Sequence, residues 1–330
     1  MNALSLHPLF ITVLMILLLF SFCRSLGISY PGSFLAVSAL CFSNTILTHT
    51  SFGWFDTDGY NVFFPVLILF TLSHAFRKDN RWHYFYLCLA GVFVGIYSGA
   101  WSVWWLPFYI IVAGLFVYTL RIIADDAKKQ LKVGILRTSL SVLIFAGAAY
   151  GSVLIISGRT GLKQVFLLPF SIWSDRTNIC LNGFWPNISA KIVELMPVHF
   201  SEIISWLGGR TVLLCTIGGI AGMFISKDYL KSYPERKLIV YTLFIWWVVT
   251  GVLSYFSRKF VLLLAIPVGI FYGKIYDWLD IFTTGLLAKV FSSQRKAAKI
   301  KTGILVSLFL AAVLLISAMH IRSERKVHLL

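Results

Sequence analysis

Residues 53–78 read GWFDTDGYNVFFPVLILFTLSHAFRK. From Tyr60 to Phe76 there is no Asp, Glu, Lys or Arg; Asp56 and Asp58 stand before this run, and Arg77 and Lys78 close it. An uncharged apolar run bounded by charge at both ends suits a helix that crosses the hydrocarbon core of a bilayer. The pattern repeats along the chain. Apolar runs occupy about 8–23, 31–48, 60–76, 82–99, 102–120, 138–157, 211–226, 238–256, 259–276 and 302–319, which predicts an all-α, polytopic transmembrane helix bundle of about ten spans.

Composition points the same way. Of the 330 residues 58% are hydrophobic and 13% charged, and the mean hydropathy is +0.82, values that exclude a soluble globular domain, a disordered chain and a coiled coil. The net charge of +16 would suggest nucleic acid in a soluble domain. Here the basic residues lie in short loops between apolar runs, where they set orientation, and no nucleic-acid partner is expected. The five cysteines (Cys23, Cys41, Cys88, Cys180, Cys215) show no paired spacing, so neither a disulfide framework nor a zinc site is implied. The first run lacks a basic n-region and a small-residue cleavage site, and is read as a span.

Threading the ten runs makes the loops alternate sides. One set holds 19 of the 29 Lys and Arg residues, including the loop at 121–137. By the positive-inside rule that set is cytoplasmic, and both termini face outward. The outer side then retains Asp56, Asp58, Asp175, Glu194, Glu202 and Glu324. Residues 1–330 read as one transmembrane domain with a long outer loop at 158–210. That loop holds Trp173, Trp185, Pro186 and Pro197 and is apolar enough to lie against the membrane surface. A cytoplasmic interfacial segment at 277–301 sets Trp278, Leu279, Ile281 and Phe282 ahead of Lys and Arg residues.

The outer carboxylates carry the chemistry. Asp56 and Asp58 are two residues apart at a membrane interface, where such charges need compensation. A hard divalent cation such as Mg²⁺ or Mn²⁺ would supply it, and so would the positive end of the helix that begins there. The spacing leaves both open. Glu194 lies in WPNISAKIVELMP at 185–197, an isolated acid in an apolar stretch on the same side; alone it reads as an exposed loop acid or as a ligand. Arg258, beside Lys259, is either an anion-binding group or a snorkelling interfacial side chain.

Taken together these pieces resemble the catalytic subunit of archaeal and bacterial oligosaccharyltransferases. The matching stretches are GWFDTDGYNVFFP at 53–65, SGAW at 98–101, WPNISAKIVELMP at 185–197, FSEIISWLGG at 200–209 and SRKFVLLLAIPVGIFYG at 257–273, in the family's order. The resemblance implies a membrane-helix bundle of the GT-C glycosyltransferase type. It implies transfer of an oligosaccharide from a polyprenyl-phosphate or diphosphate carrier to an asparagine amide of an acceptor polypeptide, at the outer face of a prokaryotic cell membrane. By the same match, Asp56 and Glu194 are catalytic, and Asp56, Asp58 and Glu194 hold Mn²⁺ or Mg²⁺. Arg258 binds the donor phosphate, and Trp101 and Trp104 line the donor cavity.

Two of the family's pieces have no counterpart. Residues 1–50 contain no Asp or Glu, where the family carries an earlier acidic motif. Trp104-Trp105 and Trp246-Trp247 are not followed by Asp, whereas the family's acceptor-reading domain carries Trp-Trp-Asp. A fragment, a split enzyme whose partner chain supplies the acceptor-binding domain, and a degenerate relative all accommodate this. Two further functions stay open: a lipid-phosphosugar glycosyltransferase with a non-protein acceptor, and a non-catalytic polyprenyl-phosphate-binding or transport protein.

Overall fold

Apolar segments that meet lipid must satisfy their backbone N–H and C=O groups internally, and in the computed structural model every element among the described residues is a helix. The structure describes residues 7–46, 58–77, 80–101, 103–125, 131–178, 198–225 and 234–290. In chain order the helices are α1 (His7–Ser25), α2 (Tyr30–Cys41), α3 (Asp58–Ala75), α4 (His83–Ala100), α5 (Trp105–Asp125), α6 (Leu131–Asn178), α7 (Phe200–Trp206), α8 (Gly209–Ile225), α9 (Pro234–Phe256) and α10 (Lys259–Val290). The apolar run expected at 302–319 lies outside the described residues.

Four of these stretches are long and apolar enough to cross a membrane: His83–Ala100, Leu136–Lys163, Lys237–Phe256 and Lys259–Thr284. A fifth arises if α7 and α8, bent by 84°, form one broken span. The long connection expected from 158 holds helical residues: α6 breaks at Gly158 (φ 64°) and continues to Asn178. Residues 277–290 continue α10 without interruption.

The chain divides into two compact units, each assembled from segments distant in sequence. The first contains α1, α2, α7, α8 and α10 from Leu264 onward. Helix α1 buries Ile11, Met15, Leu19 and Phe22 on one stripe and exposes Phe10, Val13 and Leu17 on the other; with both faces apolar, the second faces lipid. Its end is closed by a six-residue cap in which Ile28 N–H donates to Cys23 O at 3.1 Å and Gly27 N–H to Arg24 O at 2.9 Å. Gly27 takes φ 76° there, a conformation open to glycine at little cost. Ser29 then caps α2, its hydroxyl accepting from Gly32 N–H at 3.2 Å.

Helix α10 grips this turn. Ser29 N–H donates to both carboxylate oxygens of Asp277, at 3.1 and 3.3 Å. The same carboxylate pairs with Lys274 Nζ at 2.9 Å, both residues being buried. Close approach of the helices permits this contact: a Cβ on Gly273 would collide with Gly32 O, and one on Gly219 of α8 with Phe271 O. From Phe260 to Lys274 every residue of α10 is buried.

The second unit contains α3–α6, α9 and residues up to Leu263. Helices α4 and α6 meet along Gly91, Gly95 and Gly99, where added Cβ atoms would press on Ala148, Ser152 and Ile156. Small residues at such spacing bring helices into close contact in a bilayer. Hydroxyls reinforce the seam: Ser152 donates to Gly91 O at 3.0 Å, and Ser98 and Ser157 share a 2.7 Å hydrogen bond. His83 ties three elements together. One ring nitrogen lies 2.7 Å from Ala75 O, just after which α3 ends, and the other 2.8 Å from Ser141 Oγ on α6. Helix α9 packs on α5 where Thr242 faces Gly114, and Trp246 Nε1 donates to Leu263 O at 3.0 Å.

Candidate functional site

Helix α3 begins at Asp58, so its carboxylate belongs to a first turn, where a helix's positive end favours negative charge. Asp56 and Glu194 lie outside the described residues, as does the side chain of Asp58. Among the described residues no three His, Cys, Asp or Glu side chains converge in a way that could hold a metal ion. What the donor set offers is chemical: three carboxylates, the ligand type that suits Mn²⁺ or Mg²⁺.

An aromatic ladder joins the start of α3 to the end of α4. Tyr60 stacks on Phe64 at 5.8 Å between ring centroids, Phe64 on Tyr97 at 5.6 Å, and Tyr97 meets Trp101 at 6.0 Å. Trp101 ends α4 in an extended conformation (φ −147°, ψ 138°) while its N–H still donates to Tyr97 O at 3.1 Å. Its ring is half-buried. Trp104 follows in the same connection, fully buried, with its ring 6.2 Å from that of Phe108. The first residues of α3 and the two candidate donor-cavity tryptophans therefore sit at one end of this helix pair. The aromatic spacing of four residues in Tyr60-Phe64 and Tyr97-Trp101 is the sequence signal for this ladder, and the resemblance gave Phe64 and Tyr97 no role.

Arg258 occupies a different connection, the two-residue break between α9 and α10. Ser257 N–H donates to Leu253 O at 3.0 Å as α9 ends, and Phe260 and Val261 N–H donate to Ser257 O and Arg258 O at 3.2 and 3.1 Å as α10 begins. Arg258 and Lys259 are half-buried. They stand at the positive end of α10, whose first turn holds no acidic residue. An anion placed at this connection would meet both cations and the positive end of the helix.

Residues 2–321 match the family described as oligosaccharyl transferase STT3, N-terminal. Among curated proteins the chain is similar to the dolichyl-phosphooligosaccharide-protein glycotransferase of Methanococcus voltae, 25% identical over 316 residues that cover 84% of this chain and 34% of that protein. It is 26% identical over 274 residues to the protein of the same name from Methanocaldococcus jannaschii, covering 71% and 28%. The undecaprenyl-diphosphooligosaccharide–protein glycotransferase of Campylobacter jejuni is 26% identical over 218 residues, covering 54% and 29%. The chain thus spans about a third of the length of the curated relatives it matches.

Among solved structures, the archaeal oligosaccharyltransferase AglB from Archaeoglobus fulgidus, in complex with an inhibitory peptide and a dolichol-phosphate, superposes with a TM-score of 0.63 at 15% identity. The match covers 96% of this chain and 44% of that one. The Archaeoglobus fulgidus oligosaccharyltransferase in complex with Zn and sulfate gives 0.57 at 15% identity, covering 96% and 41%. Identity that low speaks to the fold, an all-α polytopic transmembrane bundle of the GT-C type. With the family matched across nearly its whole length, the chain belongs to the oligosaccharyl transferase STT3 family.

Proposed function

We propose that the chain carries an oligosaccharyltransferase site: it takes an oligosaccharide from a polyprenyl-phosphate or diphosphate carrier and transfers it to the asparagine amide of an acceptor polypeptide. The observation that carries this reading is the ring ladder Tyr60-Phe64-Tyr97-Trp101. It joins the helix start that follows Asp56 to the aromatic connection expected to line the donor cavity. The chain works as one transmembrane domain, and the charge threading puts Asp56, Asp58, Trp101, Trp104, Glu194 and Arg258 on the outer face of a prokaryotic cell membrane.

Each residue type suits its task. An amide nitrogen is a poor nucleophile, and the carboxylates of Asp56 and Glu194 would engage its hydrogens and orient it towards the sugar carbon. Arg258 would bind the carrier phosphate and stabilise the charge that grows there as the glycosidic bond breaks, an interaction strengthened in a site shielded from water. Asp56, Asp58 and Glu194 would hold a divalent ion, Mn²⁺ or Mg²⁺, which supplies Lewis-acid stabilisation of developing negative charge when bound. Acceptor reading falls to residues outside the matched motifs, supplied by a partner chain or by further sequence.

A transfer assay in membranes, with lipid-linked oligosaccharide and a sequon peptide, tests this. Wild type should glycosylate the peptide in a manner that depends on added Mn²⁺ or Mg²⁺. Asp56→Asn and Glu194→Gln should each reduce turnover on the order of 100-fold or more. Sugar transfer to a non-protein acceptor with no peptide product would overturn the proposal.

A further inference from the structure

The indole N–H groups of Trp104 and Trp105 are buried in residues that are 1% and 6% exposed, and neither has a hydrogen-bond partner among the described residues. Trp246 shows the ordinary arrangement for a tryptophan so deeply placed, its N–H donating to Leu263 O. Native structures leave few buried donors without an acceptor, and those that remain usually await a ligand or an ordered water. Each marks a place where an acceptor atom is wanted.

Along α4, α5 up to Leu120 and the facing part of α6 the chemistry is neutral and aromatic. Between His83 and Leu120, and along the facing stretch of α6 from Thr138 to Ser157, the chain has no Asp, Glu, Lys or Arg. Trp105 lies edge-on to Tyr109 at 6.3 Å, and Phe108 edge-on to Tyr150 at 5.5 Å. Neutral indole donors set among ring faces suit a phosphate poorly, since its charge calls for Arg or Lys. They suit a neutral group with oxygen acceptors on its rim and C–H bonds on its face. A sugar ring is such a group.

Resting on the donor-binding reading above, we infer that Trp104 and Trp105 are specificity-determining donors for the saccharide of the lipid-linked substrate. Their N–H groups hydrogen-bond hydroxyl or carbonyl oxygens of the sugar, and neighbouring ring faces cover its C–H surface. Phosphate recognition is left to Arg258 in its separate connection. Both N–H groups are buried, so the sugar reaches them in an arrangement that uncovers them. Two unsatisfied donors make the covered arrangement easier to leave.

The test compares two lipids on the full chain in nanodiscs: lipid-linked oligosaccharide extracted from the source cells' membranes, and polyprenyl diphosphate without sugar. Trp104→Phe and Trp105→Phe should each bind the sugar-bearing lipid about three- to tenfold more weakly, the worth of one hydrogen bond. Binding of the bare lipid should not change. Because Phe also shrinks the ring, 3-benzothienylalanine at each position, which removes only the N–H, should give the same result with an unaltered thermal midpoint. Equal weakening for both lipids would assign the tryptophans to packing or phosphate contact and overturn the inference. Unchanged binding of the sugar-bearing lipid would assign the N–H groups to a structural water and overturn it too. Wild type that binds neither lipid would bring down the donor-binding reading and this inference together. Wild type that binds both, with variants behaving identically, brings down the inference alone.

Discussion

At the scale of single residues, Arg258 shows what position adds to identity. In sequence it is one of two adjacent cations at the edge of an apolar run, equally consistent with snorkelling. In the structure it stands in the break before α10, at the positive end of a 32-residue helix with no acid in its first turn. If an anion is what that arrangement serves, Arg258→Ala should weaken binding of polyprenyl diphosphate by about tenfold or more, in titrations at low salt. Arg258→Lys should recover part of the loss, because a single ammonium keeps the charge but not the planar fork. A stronger effect from Lys259→Ala, with Arg258→Ala silent, would move the role one residue along. The proposed site's polar members stand out in the sequence as residue types: acids and an arginine beside apolar runs announce themselves. Its aromatic members were only half legible, because a membrane protein is full of rings and nothing in Phe64 marks it as a neighbour of Tyr97 until α3 and α4 are paired.

At the scale of elements, most of the helices could be read from uncharged runs, since hydropathy alone dictates where a chain can cross lipid. Their seams could not. Gly91, Gly95 and Gly99 repeat every four residues, yet the repeat does not say which helix they meet; the structure puts α6 there, with Ser152 bonded to Gly91 O. Replacing Gly95 with Ala would drive a methyl into Ser152 and should destabilise the protein by about 1–3 kcal/mol, seen as a lower thermal midpoint in detergent. Gly147→Ala on the same α6, where nothing stands within 4 Å, should leave the midpoint unchanged or raise it slightly, since alanine is the better helix former. Matching losses in both variants would mean that glycine itself, not the close seam, sets the stability. The helical stretch beyond Gly158 escaped the sequence reading for a different reason. Arg159, Lys163 and a glycine end the apolar run there, and a run's end says only where lipid stops, not where helix stops.

For the molecule as a whole, orientation is the quantity that charge controls and packing does not. The 19 basic residues on one set of loops fix 121–137 as cytoplasmic and 158–210 as outer if the positive-inside rule governs. Single cysteines placed in each loop of an otherwise cysteine-free chain, probed with an impermeant maleimide on intact cells, should label in the second loop only. Labelling in 121–137 would overturn the topology, and with it the shared outer face proposed for Asp56 and Glu194. The division into two units built from interleaved segments left no mark on the sequence, because membrane-spanning helices share one apolar character wherever they pack.

One contact bears on how an enclosed helix carries charge. Lys274 and Asp277 lie on the same helix, three residues apart and 2.9 Å between charged atoms. A lone lysine or aspartate enclosed on a membrane helix would be costly. Placed one turn apart on the same strip of helix, the two side chains can neutralise each other from the moment the turn forms. Charge on that strip is thus cancelled by residues of α10 alone, while the same carboxylate accepts from Ser29 N–H. The pair that holds the turn between α1 and α2 is one that a single helix can supply from its own sequence.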